Sequence, residues 1–564
     1  MPIASRWSTP LPEVSLPVWV FGSPNGPLAD NQVFIDAENP SRALSFSEFR
    51  QYSKRIAAGL LELGVCPGDR VLLYSGNELF VPCLFFGVVM AGAIFTGASP
   101  AFNARELAYQ LQDSGATMII SAAAALDVAV EAAKIVGLSH SRIFSFDGLL
   151  APSSAILPHS VAHWTNLLAS DAETETFKWF EPENVHTATC CLNYSSGTTG
   201  KPKGVEVTHF SYVANGESSI FRRHLEAKAW GGAYKETSLC FMPLYHAAAQ
   251  TMFIINAPKG GTTTYVMPAF NFEKLLQHIQ NFRVTELLGA PPIFLALVGS
   301  PLTKKYDLSS IKTILCGTAP LAPALGQKAG QIWKDERVQV RQGWGMTEIT
   351  CGGTICDPNL KYLTSSVGEP LPNSAIKLMD GDTEITEANK SGELWFTGPA
   401  LMKGYWRNPE ATEEAFAVDE EGRRWLKTGD IVYVDSYGPG ANIHIIDRAK
   451  ELIKVKGFQV APAELEAVLL THPAVVDVGV IGVTINGQEM PRAYIVKAPS
   501  SKDTADDICK WMEDKVAPYK RLRGGVVFLD AIPRVQSGKI LRRVLRDLAR
   551  SDLGQGIVAQ PKLA

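Results

Sequence analysis

ATCCLNYSSGTTGKPKG (188–204) joins an apolar, strand-prone run to a loop of Ser, Thr and Gly that ends in two lysines. A strand feeding such a loop offers backbone N–H groups and hydroxyls to phosphate oxygens, and Lys201 and Lys203 add positive charge. The spacing is not that of a Walker A loop, which needs G-x-x-x-x-G-K-[ST]. Here Gly197 and Gly200 stand too close together, and Pro202 follows Lys201. Taken alone, a Gly/Ser/Thr segment reads equally well as a plain turn.

Outward from this loop, short β-branched runs alternate with amphipathic stretches from about residue 45 to 380. RVLLYS (70–75), ATMIIS (116–121), TSLCFMP (237–243), GTTTYVM (261–267), TELLGA (285–290) and KTILCG (312–317) read as strands. SFSEFRQYSKRIAAGLLELG (45–64) and FNFEKLLQHIQNFR (270–283) read as helices. That alternation predicts an α/β fold with largely parallel, layered sheets. After about residue 365 the pattern turns to short strands, SAIKLMD and GELWFTG, which predict a small β-rich subdomain. The turn-rich DSYGPGANIH (435–444) precedes a last α/β unit of about 110 residues. A boundary near Asp447 gives two domains, 1–447 and 448–564. LFVPCLFFGVVMAGAIFTGA (79–98) has the length of a membrane span, but its proline and glycines predict a buried helix followed by a strand.

Composition narrows the classes. A chain of 564 residues exceeds one hydrophobic core and suggests roughly three or four folding units. With 46% hydrophobic and 20% charged residues, it is neither disordered nor fibrous. A net charge of -4 provides no basic field for nucleic acid. The nine cysteines are scattered with no C-x-x-C pair, and adjacent Cys190 and Cys191 in an apolar run predict buried thiols in a reducing compartment. MPIASRWSTPLPEVSLP lacks the apolar core of a secretory signal.

YSSGTTGKPKG resembles the nucleotide loop of the adenylate-forming (acyl-activating) superfamily, in its acyl-CoA synthetase and 4-coumarate–CoA ligase-like branch. QGWGMTE (342–348), GELWFTGPALMKGYWRNPEAT (392–412), WLKTGD (425–430), DRAKELIKVKGFQVAPAELE (447–466) and IPRVQSGKILRR (532–543) follow in that family's order. The resemblance implies that ATP activates a carboxylic acid as acyl-AMP, with Mg²⁺, and that coenzyme A takes the acyl group. It also implies that residues 448–564 form a mobile α+β lid over an adenylation domain.

Roles follow by the same resemblance. Ser195, Ser196, Gly197, Thr198, Thr199, Gly200 and Lys203 would hold the β- and γ-phosphates. Thr347 would bond the α-phosphate and Glu348 would bind the metal. Gly317, Thr318, Ala319 and Pro320, with Gln342, Gly343, Trp344 and Gly345, would line the adenine and acyl sites, the Trp344 ring lying flat against adenine. Asp430 would grip the ribose hydroxyls, and Arg448 the ribose or a phosphate. Lys450 would be the hinge, and Lys539 the cation between carboxylate and α-phosphate. Lys454 and Gln459, with the Lys456-Gly457 turn, would serve thioester formation. His246 in PLYHAAAQ would gate an acyl pocket lined by Ala247, Ala248, Gln250, Gly317, Gly345, Thr350 and Cys351.

The resemblance departs in one place. Specific 4-coumarate ligases tend to follow this histidine with Ile-Tyr, whereas here Ala247, Ala248 and Ala249 follow. Three small side chains predict a wider or deeper apolar pocket, suited to a larger aryl acid or a medium-chain acid. The Phe-Asp pair typical of amino-acid-activating domains is missing. A carrier protein is the alternative acyl acceptor. An oxygenase on this scaffold, or a non-catalytic binding protein, has no residue in its favour, since Lys539, Glu348 and Asp430 are all present. Pro561-Lys562-Leu563-Ala564 places a Lys-Leu pair one residue short of a peroxisomal address. The expected location is therefore cytoplasmic, or peroxisomal if Ala564 is not the native terminus.

Overall fold

Each parallel strand run forms where the alternation predicted it, and the strands assemble into two large sheets. The computed structural model describes residues 2–150, 158–195, 201–232, 235–360, 365–455, 458–485, 487–499, 501–535 and 538–554. Among these, one sheet is ordered Gly404–Tyr405, Lys203–Thr208, Thr189–Ser195, Ile94–Ala98, Arg70–Tyr74, Met118–Ala122, Ile143–Phe146 and Ala162–His163. Its strands from Thr189–Ser195 outward to Ala162–His163 run parallel. The second sheet is ordered Val340–Gln342, Thr313–Cys316, Glu286–Gly289, Thr237–Cys240, Thr263–Val266, Gln32–Asp36 and Ala43–Ser45. Only its last pairing is antiparallel.

The helices cover these sheets. Phe46–Glu62 begins at a reciprocal cap in which the Glu48 N–H donates to Ser45 Oγ and the Ser45 N–H donates to the Glu48 carboxylate. The 79–98 segment divides as expected, into a helix Val81–Met90 and a strand Ile94–Ala98. All ten residues of that helix are buried, and each large side chain contributes about 1.5–3 kcal/mol of apolar transfer free energy. Ten residues are too few to span a bilayer. No helix among the described residues is long and apolar enough to cross a membrane.

After residue 365 the strands pair antiparallel, except that Val526–Phe528 joins Gln488–Lys497 in parallel, and some are longer than expected, Arg424–Val434 having 11 residues. Ala375–Asp380, Gly392–Thr397, Arg424–Val434 and Ile443–Arg448 form a third sheet, in which Asp430 stands opposite Arg448. Beyond it lie a hairpin, Ile453–Val455 with Phe458–Val460, and a three-stranded sheet of Val475–Ile485, Gln488–Lys497 and Val526–Phe528. Helices Pro462–Leu469 and Ala505–Glu513 close a separate apolar core over this sheet around Leu465, Val480, Ile495 and Met512.

The strand expected before the phosphate loop is present, and a second strand follows it. The loop connects antiparallel strands Thr189–Ser195 and Lys203–Thr208, with Ser195 opposite Lys203. Any phosphate cradle here therefore works without a helix dipole at its exit. Residues Ser196, Gly197, Thr198, Thr199 and Gly200 of the loop, and Lys456 and Gly457 of the later turn, lie outside the described residues.

Candidate active site

The parallel strands of the second sheet end side by side, and the residues just past their ends line one cleft of about 1040 Å³. Met242, Gly289, Gly317 and Gly343 each sit at or just beyond such an end. This is where open parallel sheets place ligands, because successive loops splay apart there. Residues from the third sheet and from the final segment complete the walls.

On the phosphate side, Ser195, Lys203, Thr347 and Glu348 all line the cleft. Glu348 is 8% exposed, and its Oε1 accepts two hydroxyls, from Ser195 at 3.0 Å and Tyr405 at 3.0 Å. Burial, then the Glu348 charge, push the Tyr405 phenol upward, so Tyr405 stays a donor. Lys203 Nζ lies 4.6 Å from the Tyr405 ring centroid. Tyr405 is a site residue to which sequence reasoning assigned no role, although the quoted 392–412 motif contains it. Two donors on one oxygen fix the carboxylate plane and fit Glu348 to a hard cation. Among the described residues no cluster of three or more His, Cys, Asp or Glu could enclose a metal. A magnesium ion would therefore share Glu348 with nucleotide oxygens.

On the nucleoside side, Trp344 is 8% exposed and lines the cleft, and its indole N–H donates to Asp430 Oδ2 at 2.8 Å. The other oxygen, Oδ1, meets Arg448 Nε at 3.1 Å. Asp430 is thus held from two sides, and it does not itself line the cleft. Gln342 Oε1 accepts the Leu321 N–H at 2.7 Å and steadies the 317–320 segment, where Thr318 holds a left-handed φ of 70°. Ala319 and Pro320 follow without lining the cleft. Gly345 does line it, and a Cβ there would lie 2.0 Å from the Cys351 carbonyl, so no larger residue fits. Trp344→Phe keeps the ring but removes the donor to Asp430. It is expected to raise KM for ATP about tenfold with little change in kcat, since a hydrogen bond to a charged group contributes about 1.5–3 kcal/mol. Steady-state kinetics at varied ATP check this, and an unchanged KM reduces Trp344 to packing.

Lys539 comes from a tight turn. The Val535 N–H donates to the Lys539 carbonyl and the Gly538 N–H to the Val535 carbonyl, with Gly538 at φ 86° against Ala290. The turn carries Lys539 into the cleft, within the fields of Arg448, Asp430, Glu451 and Glu348. Burial, then the Arg448 charge, lower its pKa to about 8. Burial and Lys539 also lower the His246 pKa, which keeps the imidazole neutral at pH 7. His246 lines the cleft, and its Nδ1 accepts the Ala248 N–H at 3.4 Å. A lysine whose pKa is lowered loses its charge as pH rises through that lowered value. If Lys539 works as a cation, kcat/KM for adenylation should fall above about pH 8. The matching limb of kcat should lie higher, because bound triphosphate favours the ammonium. A flat kcat/KM profile from pH 7 to 10 contradicts the role.

Lys454 and Gln459 form a directly opposed cross-strand pair on the hairpin, both exposed, and neither lines the cleft. Ile453 and Val455 point into the core of the small unit. Lys450 lines the cleft in a turn closed by the Glu451 N–H on the Arg448 carbonyl at 2.9 Å. Of the expected acyl wall, Ala247, Ala248, Gly317, Gly345 and Cys351 face the cleft. Gln250 and Thr350 do not. Gln250 is fully buried, taking the Tyr212 hydroxyl at 3.3 Å and donating to the Tyr245 carbonyl, while the Thr350 hydroxyl donates to the Ala400 carbonyl. Both side chains spend their polar atoms tying elements together behind the wall.

A model of the AMP-binding enzyme family matches residues 26–406, and a model of the AMP-binding enzyme C-terminal domain matches residues 464–539. A phenylacetyl-CoA ligase of Aspergillus niger is 35% identical over 546 residues, covering 96% of this chain and 98% of its own. A 4-coumarate-CoA ligase of Narcissus pseudonarcissus is 34% identical, covering 92% of this chain and 91% of its own. Among solved structures, an anthranilate CoA ligase in complex with anthranoyl-AMP superposes with a TM-score of 0.80 at 23% identity, over 97% of this chain and 99% of its own. ATP-bound MatB from Rhodopseudomonas palustris gives a TM-score of 0.79 at 23% identity, over 95% and 98%. At those identities the two structures speak to the fold alone.

Proposed function

The chain belongs to the AMP-binding enzyme family of adenylate-forming ligases, and we propose from that membership that it joins an aryl or medium-chain carboxylic acid to coenzyme A. It is an AMP-forming acid–thiol ligase. A carboxylate is a poor electrophile. One of its oxygens attacks the α-phosphorus of ATP, pyrophosphate leaves, and acyl-AMP remains. The sulfur of coenzyme A then attacks the acyl carbon and AMP leaves.

The first step rests on positioning and charge neutralisation. In this reading Lys539 and Thr347 meet the α-phosphate, Ser195 and Lys203 meet the outer phosphates, and Asp430, fixed by Trp344 and Arg448, holds the ribose. Glu348 holds magnesium, which draws charge from the phosphate oxygens when bound. His246, kept neutral, guards the passage to the acyl pocket. Residues 1–447 act as the adenylation domain and 448–564 as a lid. Lys454 and Gln459 serve acyl transfer after the lid turns about Lys450.

The observation that carries the reading is the convergence on one cleft of Lys539 with Glu348, Arg448 and Trp344, drawn from distant parts of the sequence. The acid is inferred from the small Ala247 and Ala248 side chains and from relatives named for phenylacetate and 4-coumarate. The test is a panel of aryl and medium-chain acids with ATP and Mg²⁺, with and without CoA, read by pyrophosphate release and thioester mass. Acid-dependent pyrophosphate release and an acyl-CoA product are expected. Adenylate that accumulates while added CoA goes unused would point to a carrier protein as acceptor. Absence of pyrophosphate release with every acid would sink the reading.

A further inference from the structure

The acyl end of the cleft was expected to be apolar, and its far wall is not. Helix His209–Ala229 turns Asn215, Ser218, Ser219 and Arg222 toward the cleft, a spacing that puts all four on one face. Packed against it runs Gln250–Asn256, a segment with π-type i→i+5 bonding, which presents Met252 and Asn256. Such wide turns shift side chains off the α-helical phase and recur at functional sites. Asn256 follows the His246 gate by ten residues of largely helical chain, on the order of 15 Å.

One observation on this wall points to a ligand, and a second bears on its charge. Asn256 is 3% exposed, lines the cleft, and its Oδ1 has no hydrogen-bond partner among the described residues. A buried amide oxygen left unpaired is destabilising unless something in the pocket donates to it. Arg222 also lines the cleft, and its guanidinium bonds Glu286 at 2.7 Å, with Glu236 at 3.9 Å. Arg223 pairs with Glu236 at 2.6 Å and Arg341 with Glu226 at 2.9 Å. Three arginines therefore face three glutamates. A further carboxylate from a ligand would upset this balance in a buried setting, whereas a neutral group would not.

We propose that this wall is a polar subsite that reads a hydroxyl carried at the far end of the acid, with Asn256 and Arg222 as its recognition groups. The inference rests on the ligase reading and adds the substrate class. A hydroxyl both donates and accepts, so it satisfies the Asn256 amide whichever way that amide is turned. A hydrocarbon end would leave the amide unpaired.

The test compares isosteric acids that differ only at the far end: 8-hydroxyoctanoic against nonanoic acid, and 4-(4-hydroxyphenyl)butanoic against 4-(4-methylphenyl)butanoic acid. Nonanedioic acid is the charged arm. Each is measured by kcat/KM for pyrophosphate release and by calorimetric binding. In at least one pair the hydroxy acid is expected to lead by about tenfold or more. Asn256→Leu should bring that ratio to about one, mainly by improving the methyl acid. The wild-type ratios stand even if that variant fails to fold. Methyl acids equal to or better than their hydroxy partners in both pairs would overturn the subsite, as would nonanedioic acid ahead of 8-hydroxyoctanoic acid. No pyrophosphate release with any acid would instead indict the ligase reading, and the binding ratios would still decide the subsite.

Discussion

Lys539→Ala is expected to lower acyl-adenylate formation by roughly 10²–10³ while leaving thioester formation from pre-made acyl-adenylate nearly intact. Removing one preorganised donor from a dry site commonly has an effect of about that size. Lys539 is half-buried on a glycine-dependent turn and already lies among Arg448, Asp430, Glu451 and Glu348, so little reorganisation is needed for it to act. Its removal should not unfold the protein, because the turn is held by backbone bonds and by the Arg534 guanidinium on the Gly538 carbonyl at 2.7 Å. Single-turnover measurements of each half-reaction check this. Equal losses in both would mean that Lys539 serves binding or stability in general, not the first step.

Lys450→Pro is expected to leave adenylation largely intact and to slow acyl transfer about 10²-fold or more, a loss comparable to that from misplacing a reacting group by about 1 Å. Lys539 in the cleft and the exposed Lys454–Gln459 pair belong to one small unit and face different ways. If both serve the same reacting carbon, as proposed, a single orientation cannot bring them there and the unit turns between steps. Lys450 lies in the Arg448–Glu451 turn at the root of that unit and keeps a negative φ. Proline, fixed near -65°, shares that negative φ and resists the change of φ that rotation about this residue needs. Pyrophosphate release should then show a burst of about one turnover and stall, whereas Lys450→Ala should keep both steps. Acyl-CoA formation by Lys450→Pro at the wild-type rate would place the rotation elsewhere.

The strands and helices were legible because their patterns are local. Val81–Met90 could be told from a membrane span by its proline, its glycines and the strands on either side. The exit strand Lys203–Thr208 was overlooked although Val205 and Val207 alternate with other residues, because the run is short and directly follows the Gly/Ser/Thr loop. Glu348, Asp430 and Lys539 were singled out by resemblance to family motifs, but the Tyr405–Glu348 and Trp344–Asp430 bonds join residues with no local relation. Gln250 was misplaced because a uniform run of small residues carries no phase, and the wide helical turns begin there. The Arg222 and Asn256 wall was out of reach for the same reason: helix and π-type segment meet only through the tertiary fold.

The most direct measurement of the central claim is the fate of carboxylate oxygen. An acid that the enzyme turns over, labelled with ¹⁸O in its carboxyl group, is incubated with ATP, Mg²⁺ and CoA, and the products are weighed by mass spectrometry. Attack of the carboxylate on the α-phosphorus predicts one ¹⁸O in the phosphate of each AMP and none in pyrophosphate. Unlabelled AMP, or label appearing in pyrophosphate or inorganic phosphate, would contradict an acyl-adenylate pathway.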